Sequence, residues 1–187
     1  MNTTTTSPGT IFTRIDSPLG ELLLTSRAGK LTGLYFADQP HARLAPSWIR
    51  QDDAPIFLHT TKQLAEYAAG ARKTFDLSKI DLAGTTSQLN VWMEILTIPF
   101  GKTITYSELA QRTGSPDAVR AVGGAVGRNP ISWIVPCHRV MGKNGTLTGY
   151  AGGTHRKKAL LDFEAARLQG ENAVLTLAPS QPVLAGM

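Results

Sequence analysis

The chain has few of the features that mark exported or membrane proteins. It contains a single cysteine, Cys137, in 187 residues, which excludes an internal disulfide and a cysteine-rich zinc site. No apolar run approaches the roughly 18–20 residues that span a bilayer. The N-terminus also lacks the basic and apolar regions of a signal peptide. We therefore expect a protein of the reducing cytoplasm with no membrane partner.

Acidic residues are scarce in the second half of the chain. Overall, 19 Lys and Arg residues outnumber 14 Asp and Glu residues, and the net charge is +5. Between positions 101 and 158, nine basic residues are accompanied only by Glu108 and Asp117. Such a stretch favours a polyanionic partner, most commonly nucleic acid, although a solvated basic surface has the same composition.

The length and composition allow two small domains. Hydrophobic residues make up 42% of the chain, which is enough for packed cores. A polar, glycine-containing segment at 81–86 is the preferred boundary. We predict an N-terminal α+β domain over 1–83 that begins with a flexible tail, a second domain over 84–170, and a loose C-terminal tail over 171–187.

The first domain has the pattern of a small sheet with one helix. Segments 12–15 and 21–25 flank a Ser-Pro-Leu-Gly turn, which is typical of a hairpin, and 31–36 offers a third strand. Apolar residues at helical spacing over 59–71 predict an amphipathic helix that ends near Gly70. These elements predict an antiparallel sheet with a flanking helix.

The second domain begins with helical patterns. Segment 89–97 is apolar on one face and is stopped by Pro99. Thr105 and Glu108 have the spacing of a capping box, and the helix that they begin ends at Gly114. A further short helix follows directly, so the pair resembles a helix-turn-helix.

That further helix is unusual because it has one long side chain. Ser115 and Pro116 are predicted to begin it, and Arg120 then stands among alanines, valines and the pair Gly123 and Gly124. Each glycine costs about 1 kcal/mol relative to alanine in a helix, so something must approach this backbone. Either a neighbouring helix or a nucleic-acid groove would explain the two glycines.

The reactive residues follow an apolar, strand-like run at 131–135. A lone cysteine is commonly a small buried hydrophobe, but His138 and Arg139 lie beside Cys137. Imidazole and positive charge lower the pKa of a thiol, and the thiolate is the nucleophilic form. Adjacent side chains point apart, so proton transfer between Cys137 and His138 would pass through a water molecule. A Cys-His hydrolase has the same pair.

Four segments in this order resemble the catalytic domain of the O6-alkylguanine-DNA alkyltransferase family. They are IPFGKTITYSELA (98–110), AVRAVGGAVGRNPI (118–131), PCHRV (136–140) and GTLTGYAGGTHRKKALLDFE (145–164). The resemblance covers about 84–164. It implies an α+β protein of two domains, with a ribonuclease-H-like antiparallel sheet and helix at the N-terminus. The C-terminal domain would be a helical, winged-helix-like DNA-binding domain.

The resemblance also implies catalytic roles. Cys137 would take the alkyl group from guanine O6 by an SN2 displacement, once per molecule. His138 would accept the thiol proton through water, and Glu164 would orient the imidazole. Asn129 would tie the helix-turn-helix to the cysteine loop. Tyr106 would help to rotate the target phosphate and would offer its hydroxyl to the departing guanine.

DNA contacts follow from the same resemblance. Arg120 would replace the target nucleotide in the base stack after base flipping, because a lesion inside a duplex is otherwise unreachable. Ala121, Gly123 and Gly124 would let the helix lie against the minor groove. The basic segment would supply affinity that is independent of sequence.

The substrate pocket is implied less directly. Backbone groups at Cys137 and Val140 would read the base edge, and Tyr150 with Ala151 would line the alkyl pocket. Trp133 stands where smaller aliphatic residues are usual, and it is interpreted either as core filler or as a residue that narrows the pocket.

We expect no cofactor and no metal, because the thiol is itself the acceptor and the N-terminal domain has no cysteine. The expected partner is double-stranded DNA that contains alkylated bases, bound by a monomer, with O4-alkylthymine as a second substrate. Two alternatives stay open. A damage-recognition module would bind without transfer, but relatives of that type lack the cysteine. A Cys-His hydrolase would turn over.

Overall fold

The computed structural model describes residues 9–40 and 42–177. The predicted N-terminal tail lies almost wholly outside these residues, as does the end of the C-terminal tail from position 178. In the described part, no helix is both long and apolar enough to cross a membrane.

The N-terminal domain is a four-stranded sheet with one long helix. The strands are β1 (Ile11–Ile15), β2 (Leu22–Arg27), β3 (Lys30–Phe36) and β4 (Ile49–Arg50). The three predicted strands, β1 to β3, are confirmed as antiparallel neighbours, and the sheet order is β3-β2-β1-β4. Strand β4 pairs in parallel with β1. It was not predicted, because a strand of two exposed residues is too short to show an alternating pattern.

The helix of this domain, α1 (Pro55–Ala68), begins four residues earlier than the sequence pattern indicates. Pro55 occupies the first turn, where its missing N–H costs no hydrogen bond. Gly70 follows with a φ of 75°, which favours glycine and ends the helix as predicted. The buried face of α1 includes Leu64 and Tyr67 and points towards the second domain.

The C-terminal domain is mostly helical, as predicted. A parallel pair of two-residue strands, β5 and β6, joins the start of α3 to the segment after the cysteine. Its elements are α2 (Thr86–Leu96), β5 (Ile104–Thr105), α3 (Tyr106–Arg112), α4 (Val119–Gly127), a 3-10 turn (Cys137–Arg139), β6 (Val140–Met141), a second 3-10 turn (Lys143–Gly145) and α5 (Thr154–Leu168).

Two of the helix starts involve capping by threonine. Helix α2 begins at Thr86 because Thr85 and Gln88 form a reciprocal capping box, which the prediction of a start at 89 overlooked. At α3 the hydroxyl of Thr105 accepts from the N–H of Glu108 at 3.1 Å, as predicted. The carboxylate of Glu108 instead pairs with Arg112, so only half of that capping box forms.

The predicted start of α4 at Ser115 is wrong. The N–H of Ala118 donates to the carbonyl of Ser115 at 3.0 Å, which closes a turn with Pro116 at its second position. Helix α4 therefore begins at Val119, and the side chain of Ser115 does not cap it.

The apolar run at 131–135 is also not a strand. Its N–H groups close successive turns, from Ile134 to Ser132 at 2.9 Å and from Val135 to Ile131 at 3.0 Å. A single bridge joins Ile131 to Leu34 of β3. All five residues are buried, and a buried segment is apolar whether its backbone is a strand or a series of turns. The apolar run therefore did not indicate the backbone conformation.

The two domains meet along the edge of β3. Leu34 donates its N–H to Pro130 at 2.9 Å and accepts from Ser132 at 3.0 Å. Arg156 of α5 is buried, donates to the carbonyl of Leu19 at 2.7 Å and pairs with Asp38 at 2.8 Å. The segment that leads to the cysteine is therefore held against the N-terminal sheet.

Residues 171–177 are not a loose tail. Leu175 is fully buried, and its N–H donates to the carbonyl of Ala68 at 2.9 Å. Leu177 donates to the carbonyl of Pro18 at 3.3 Å. The segment has no helical period, and the N–H groups of Leu175 and Leu177 bond to the N-terminal domain instead of within a helix.

We expect Leu175→Ala to lower the free energy of unfolding by about 2–4 kcal/mol, because it removes a fully buried side chain. Val174→Ala is the matched control, because Val174 is 61% exposed and should change stability by no more than about 0.5 kcal/mol. Urea denaturation measures both. Equal, small effects would mean that the segment is not part of the folded core.

Candidate active site

The cysteine lies in the 3-10 turn that follows Pro136. Its Sγ accepts a hydrogen bond from Nδ2 of Asn129 at 3.1 Å. The same nitrogen donates to the carbonyl of Val135 at 2.9 Å, and Oδ1 of Asn129 accepts from the N–H of Ile131 at 3.0 Å. The buried Asn129 thus connects the end of α4 to the cysteine loop.

Burial determines the protonation state of this thiol. Cys137 is 5% exposed, and desolvation raises its pKa, although the Asn129 hydrogen bond and the charge of Lys157 act in the opposite direction. The prediction that neighbouring groups leave the thiol pKa below its ordinary value is therefore wrong in its net direction, because burial outweighs them. Arg139, which was expected to help, turns its guanidinium to Glu164 instead. The resting species is the thiol, so the site needs a proton acceptor.

His138 can be that acceptor. It is fully buried, and burial lowers its pKa, so the imidazole is neutral at neutral pH. Its Nε2 lies 2.8 Å from Oε1 of Glu164. A carboxylate only accepts hydrogen bonds, so Nε2 carries the proton and Nδ1, which has no partner among the described residues, is free to accept one. Consecutive side chains of a 3-10 turn point about 120° apart, which favours a water relay from Cys137.

The carboxylate of Glu164 is fully buried and collects donors from several segments. The guanidinium of Arg139 donates to it from Nη2 at 2.9 Å, and the N–H of Gly101 donates to Oε2 at 2.7 Å. The hydroxyl of Tyr67 donates to Oε1. Burial alone would raise the pKa of Glu164, but His138 and Arg139 outweigh it and hold the pKa at about 2. Glu164 is therefore an anion that orients the imidazole.

We expect Glu164→Gln to lower the free energy of unfolding at neutral pH by roughly 3 kcal/mol, because it leaves Arg139 buried without its counterion. The folded-state pKa is depressed, so the stabilisation is present above about pH 4.5 and is lost as the pH falls towards 2. Denaturation curves over this pH range should show the unfolding free energies of the wild-type and Glu164→Gln proteins converging as the pH falls. The exposed Glu171→Gln is the control, and a constant difference at all pH values would contradict the assignment.

A buried lysine lies beside the thiol. Nζ of Lys157 donates to the carbonyls of Val140 at 2.5 Å and Thr148 at 3.0 Å, and burial lowers the pKa of Lys157. Its charge favours the thiolate form of Cys137. Sequence reasoning missed this residue. The signal was available, because Lys157 and Glu164 are seven residues apart and so share one face of α5.

Tyr106 begins α3 and faces the loop before the pocket. Its hydroxyl lies 3.3 Å from the carbonyl oxygens of Thr148 and Gly149. A Cβ at Gly149 would lie 2.8 Å from this hydroxyl, and the φ of 67° there also favours glycine. Burial, and then the nearby Cys137, raise the pKa of Tyr106, so its hydroxyl is a neutral donor.

The predicted pocket residues are placed at different depths. Tyr150 is 8% exposed, its hydroxyl has no partner among the described residues, and burial and Cys137 raise its pKa. The ring of Phe36 packs edge-on against the ring of Tyr150, with 6.5 Å between the ring centroids, so the N-terminal domain contacts this predicted pocket residue. Val140 is buried in β6 next to the cysteine turn, whereas Ala151 is exposed.

The position of Trp133 favours the core-filler interpretation. Its ring packs edge-on against Tyr67 of α1 at 5.9 Å, and it is 1% exposed. It borders a cavity together with Ile15 and Leu64 of the N-terminal domain. The assignment of Trp133 to the substrate pocket is therefore not supported. The sequence could not decide between the two interpretations of Trp133. Its backbone has a φ of 73°, which is unusual for a bulky residue and which no local pattern predicts, and the direction of the side chain depends on that backbone conformation.

Helix α4 presents its small residues outward. Arg120 and Ala121 are exposed. A Cβ at Gly123 would be 3.9 Å from the ring of Tyr106, and one at Gly124 would meet only a flexible arginine side chain from the end of the same helix. In the described part of the chain, the group from another helix that comes near these glycines is the Tyr106 ring of α3, and it leaves room for a Cβ at Gly123. Close helix packing therefore does not explain the two glycines.

The arrangement contains a nucleophile, a proton acceptor and an orienting anion in series. The protonation states and contacts of Cys137, His138 and Glu164 suit them to these three roles. Among residues 9–40 and 42–177, no three His, Cys, Asp or Glu side chains are grouped as a metal ion would need. Such a site can form a bond from sulfur to an alkyl carbon while the leaving group departs from that carbon.

Comparison with known families agrees with this chemistry. The model of the 6-O-methylguanine DNA methyltransferase ribonuclease-like domain matches residues 10–82, and the model of the DNA-binding domain of the same family matches residues 86–166. Together they account for most of the chain. This protein belongs to the 6-O-methylguanine DNA methyltransferase family.

Individual relatives support the same family. The methylated-DNA–protein-cysteine methyltransferase of Mycobacterium tuberculosis is 46% identical over 156 residues, which is 83% of this chain and 93% of the relative. The protein of that name from Haemophilus influenzae is 41% identical over 153 residues, 82% of this chain and 85% of the relative. The structure of M. tuberculosis OGT in complex with DNA has a TM-score of 0.78 at 45% identity, and covers 84% of this chain and 94% of that one.

Proposed function

We propose that this protein repairs DNA by moving an alkyl group from O6 of guanine to its own Cys137. The observation that carries the proposal is the buried thiol beside a neutral imidazole that Glu164 orients. The family supplies the reaction class, a methyltransferase with cysteine as the acceptor. Helix α4 and the exposed basic residues of segment 101–158 supply a surface for DNA, whereas Arg139, Arg156 and Lys157 of that segment are buried.

DNA binding comes first. Lysine and arginine side chains contact phosphates without regard to sequence, and α4 lies against the minor groove. Arg120 enters the base stack and fills the gap that the extruded nucleotide leaves. Ala121, Gly123 and Gly124 allow the close approach because they add no bulk to the exposed side of the helix.

The transfer itself is a displacement at the alkyl carbon. The Cys137 proton passes through water to Nδ1 of His138, and Glu164 stabilises the imidazolium that forms. The sulfur forms a bond to the alkyl carbon as the bond from that carbon to guanine O6 breaks, and the electron pair leaves with the guanine. The Tyr106 hydroxyl donates a proton to the departing base, and solvent water reprotonates the tyrosine. Lys157 favours the transient thiolate.

The pocket selects the base and its alkyl group. Backbone groups of Val140 and Cys137 read the base edge, while Tyr150 and Ala151 border the alkyl group. O4-alkylthymine presents a similar alkylated oxygen and is the proposed second substrate.

The product is a thioether, which is stable, so each molecule acts once. No cofactor is required, because the protein itself is the acceptor. The proposed substrate is double-stranded DNA with an alkylated base, bound by a monomer in the cytoplasm.

Mixing the protein with a duplex that carries one O6-methylguanine should add one methyl group, about 14 Da, to Cys137. Intact-protein mass spectrometry measures the gain, which should saturate at one equivalent and be absent in Cys137→Ser. Tight, lesion-selective binding without a mass change would identify a recognition module instead. Repeated turnover would identify a hydrolase.

We expect Arg120→Ala to slow transfer from duplex DNA by roughly tenfold or more, because the flipped state loses the side chain that fills the stack. Reaction with the free base O6-benzylguanine, which needs no flipping, should stay within about twofold. Single-turnover kinetics on both substrates measure this. Arg50→Ala, at an exposed site in the N-terminal domain, is the control. Equal slowing on both substrates would exclude the flipping role of Arg120.

A further inference from the structure

The hydroxyl of Tyr67 reaches the catalytic carboxylate from the N-terminal domain. It donates to Oε1 of Glu164, the same oxygen that accepts from Nε2 of His138 at 2.8 Å. We propose that Tyr67 is a positioning residue for alkyl transfer, which holds Oε1 of Glu164 against His138. The inference rests on the proposed function and gives the N-terminal domain a part in the reaction.

The ring of Tyr67 is fixed by its neighbours. It is fully buried in α1 and packs against Phe75 at 5.2 Å, Phe163 at 5.5 Å, Phe100 at 5.7 Å and Trp133 at 5.9 Å. Phe75 belongs to the N-terminal domain, and the other three belong to the C-terminal domain. A ring packed between the two domains has one orientation, so its hydroxyl can hold the carboxylate of Glu164 in a defined position.

The hydroxyl of Tyr67 shares Oε1 of Glu164 with His138 and with Nη2 of Arg139, which lies 2.9 Å from that oxygen. The N–H of Gly101 reaches Oε2, and Arg139 spreads its hydrogen bonds over both oxygens. Among the described residues, Tyr67 is the donor to Glu164 that comes from the N-terminal domain. Burial raises the pKa of Tyr67, so it stays a neutral donor throughout the working range of pH.

Loss of the hydroxyl has two expected effects. Oε1 would lose one donor and would attract the proton on His138 more strongly, so His138 would titrate at higher pH. The carboxylate would also lose an anchor, so the imidazole would be less well aligned for the thiol proton. Besides Glu164, the charged groups that act on His138 are Arg139 in its own turn and Lys157 on α5.

The test is Tyr67→Phe, which keeps the ring and its packing. NMR titration of the imidazole, assigned with a His138→Asn variant, should show the His138 midpoint raised by about 0.5–1 pH unit. Single-turnover transfer from a duplex that carries one O6-methylguanine should be roughly three- to tenfold slower at neutral pH. Tyr35→Phe is the matched control, because Tyr35 lies on β3 of the same domain and outside this network, and it should change neither readout.

Support requires both changes. A slower rate with an unchanged His138 midpoint would mean that Tyr67 acts through packing, and would overturn the proposal. An unchanged rate would overturn it as well. In a Glu164→Gln background, Tyr67→Phe should add no further shift, and an additive shift would show that the two residues act independently. The NMR readout needs no alkyl transfer, so failure of the wild-type protein to react would refute the proposed function alone.

Discussion

The buried carboxylate of Glu164 is the constraint on which the rest of the active site depends. An isolated charge in a protein interior is costly, so each of its lone pairs needs a donor. The donors come from distant parts of the chain: Tyr67 in α1, Gly101 before β5, and His138 with Arg139 in the cysteine turn. The two domains must therefore close correctly before the charge is satisfied. The active site is therefore complete only when both domains are folded and packed together.

The same burial explains how a nucleophile can be kept unreactive. Desolvation holds Cys137 as a thiol, while Asn129 and Lys157 favour the thiolate without outweighing burial. Reactivity then depends on proton transfer to His138, whose neutral form is also a result of burial. A protein that acts once gains from a thiol that is not ionised in solution, because an exposed thiolate reacts with many electrophiles.

Local patterns were reliable where local physics decides. The strands of the first hairpin, the cap at Thr105 and the stop at Gly70 follow from turn chemistry and hydrogen bonds within a few residues. The predictions failed where the same residues can form either of two local structures, such as a turn or a helix cap, or buried turns or a strand. Ser115 closes a turn instead of capping α4, and residues 131–135 are buried turns instead of a strand.

The sequence by itself determined the family and the two-domain α+β architecture, and it predicted the residues proposed for the chemistry, because the motifs and periodicities are local. Only the tertiary structure decided the direction of the Cys137 pKa shift, the place of Trp133 in the interdomain core and the contact between Tyr67 and Glu164, which are 97 residues apart. Burial and long-range hydrogen bonds depend on how the two domains pack. No local pattern encodes that packing.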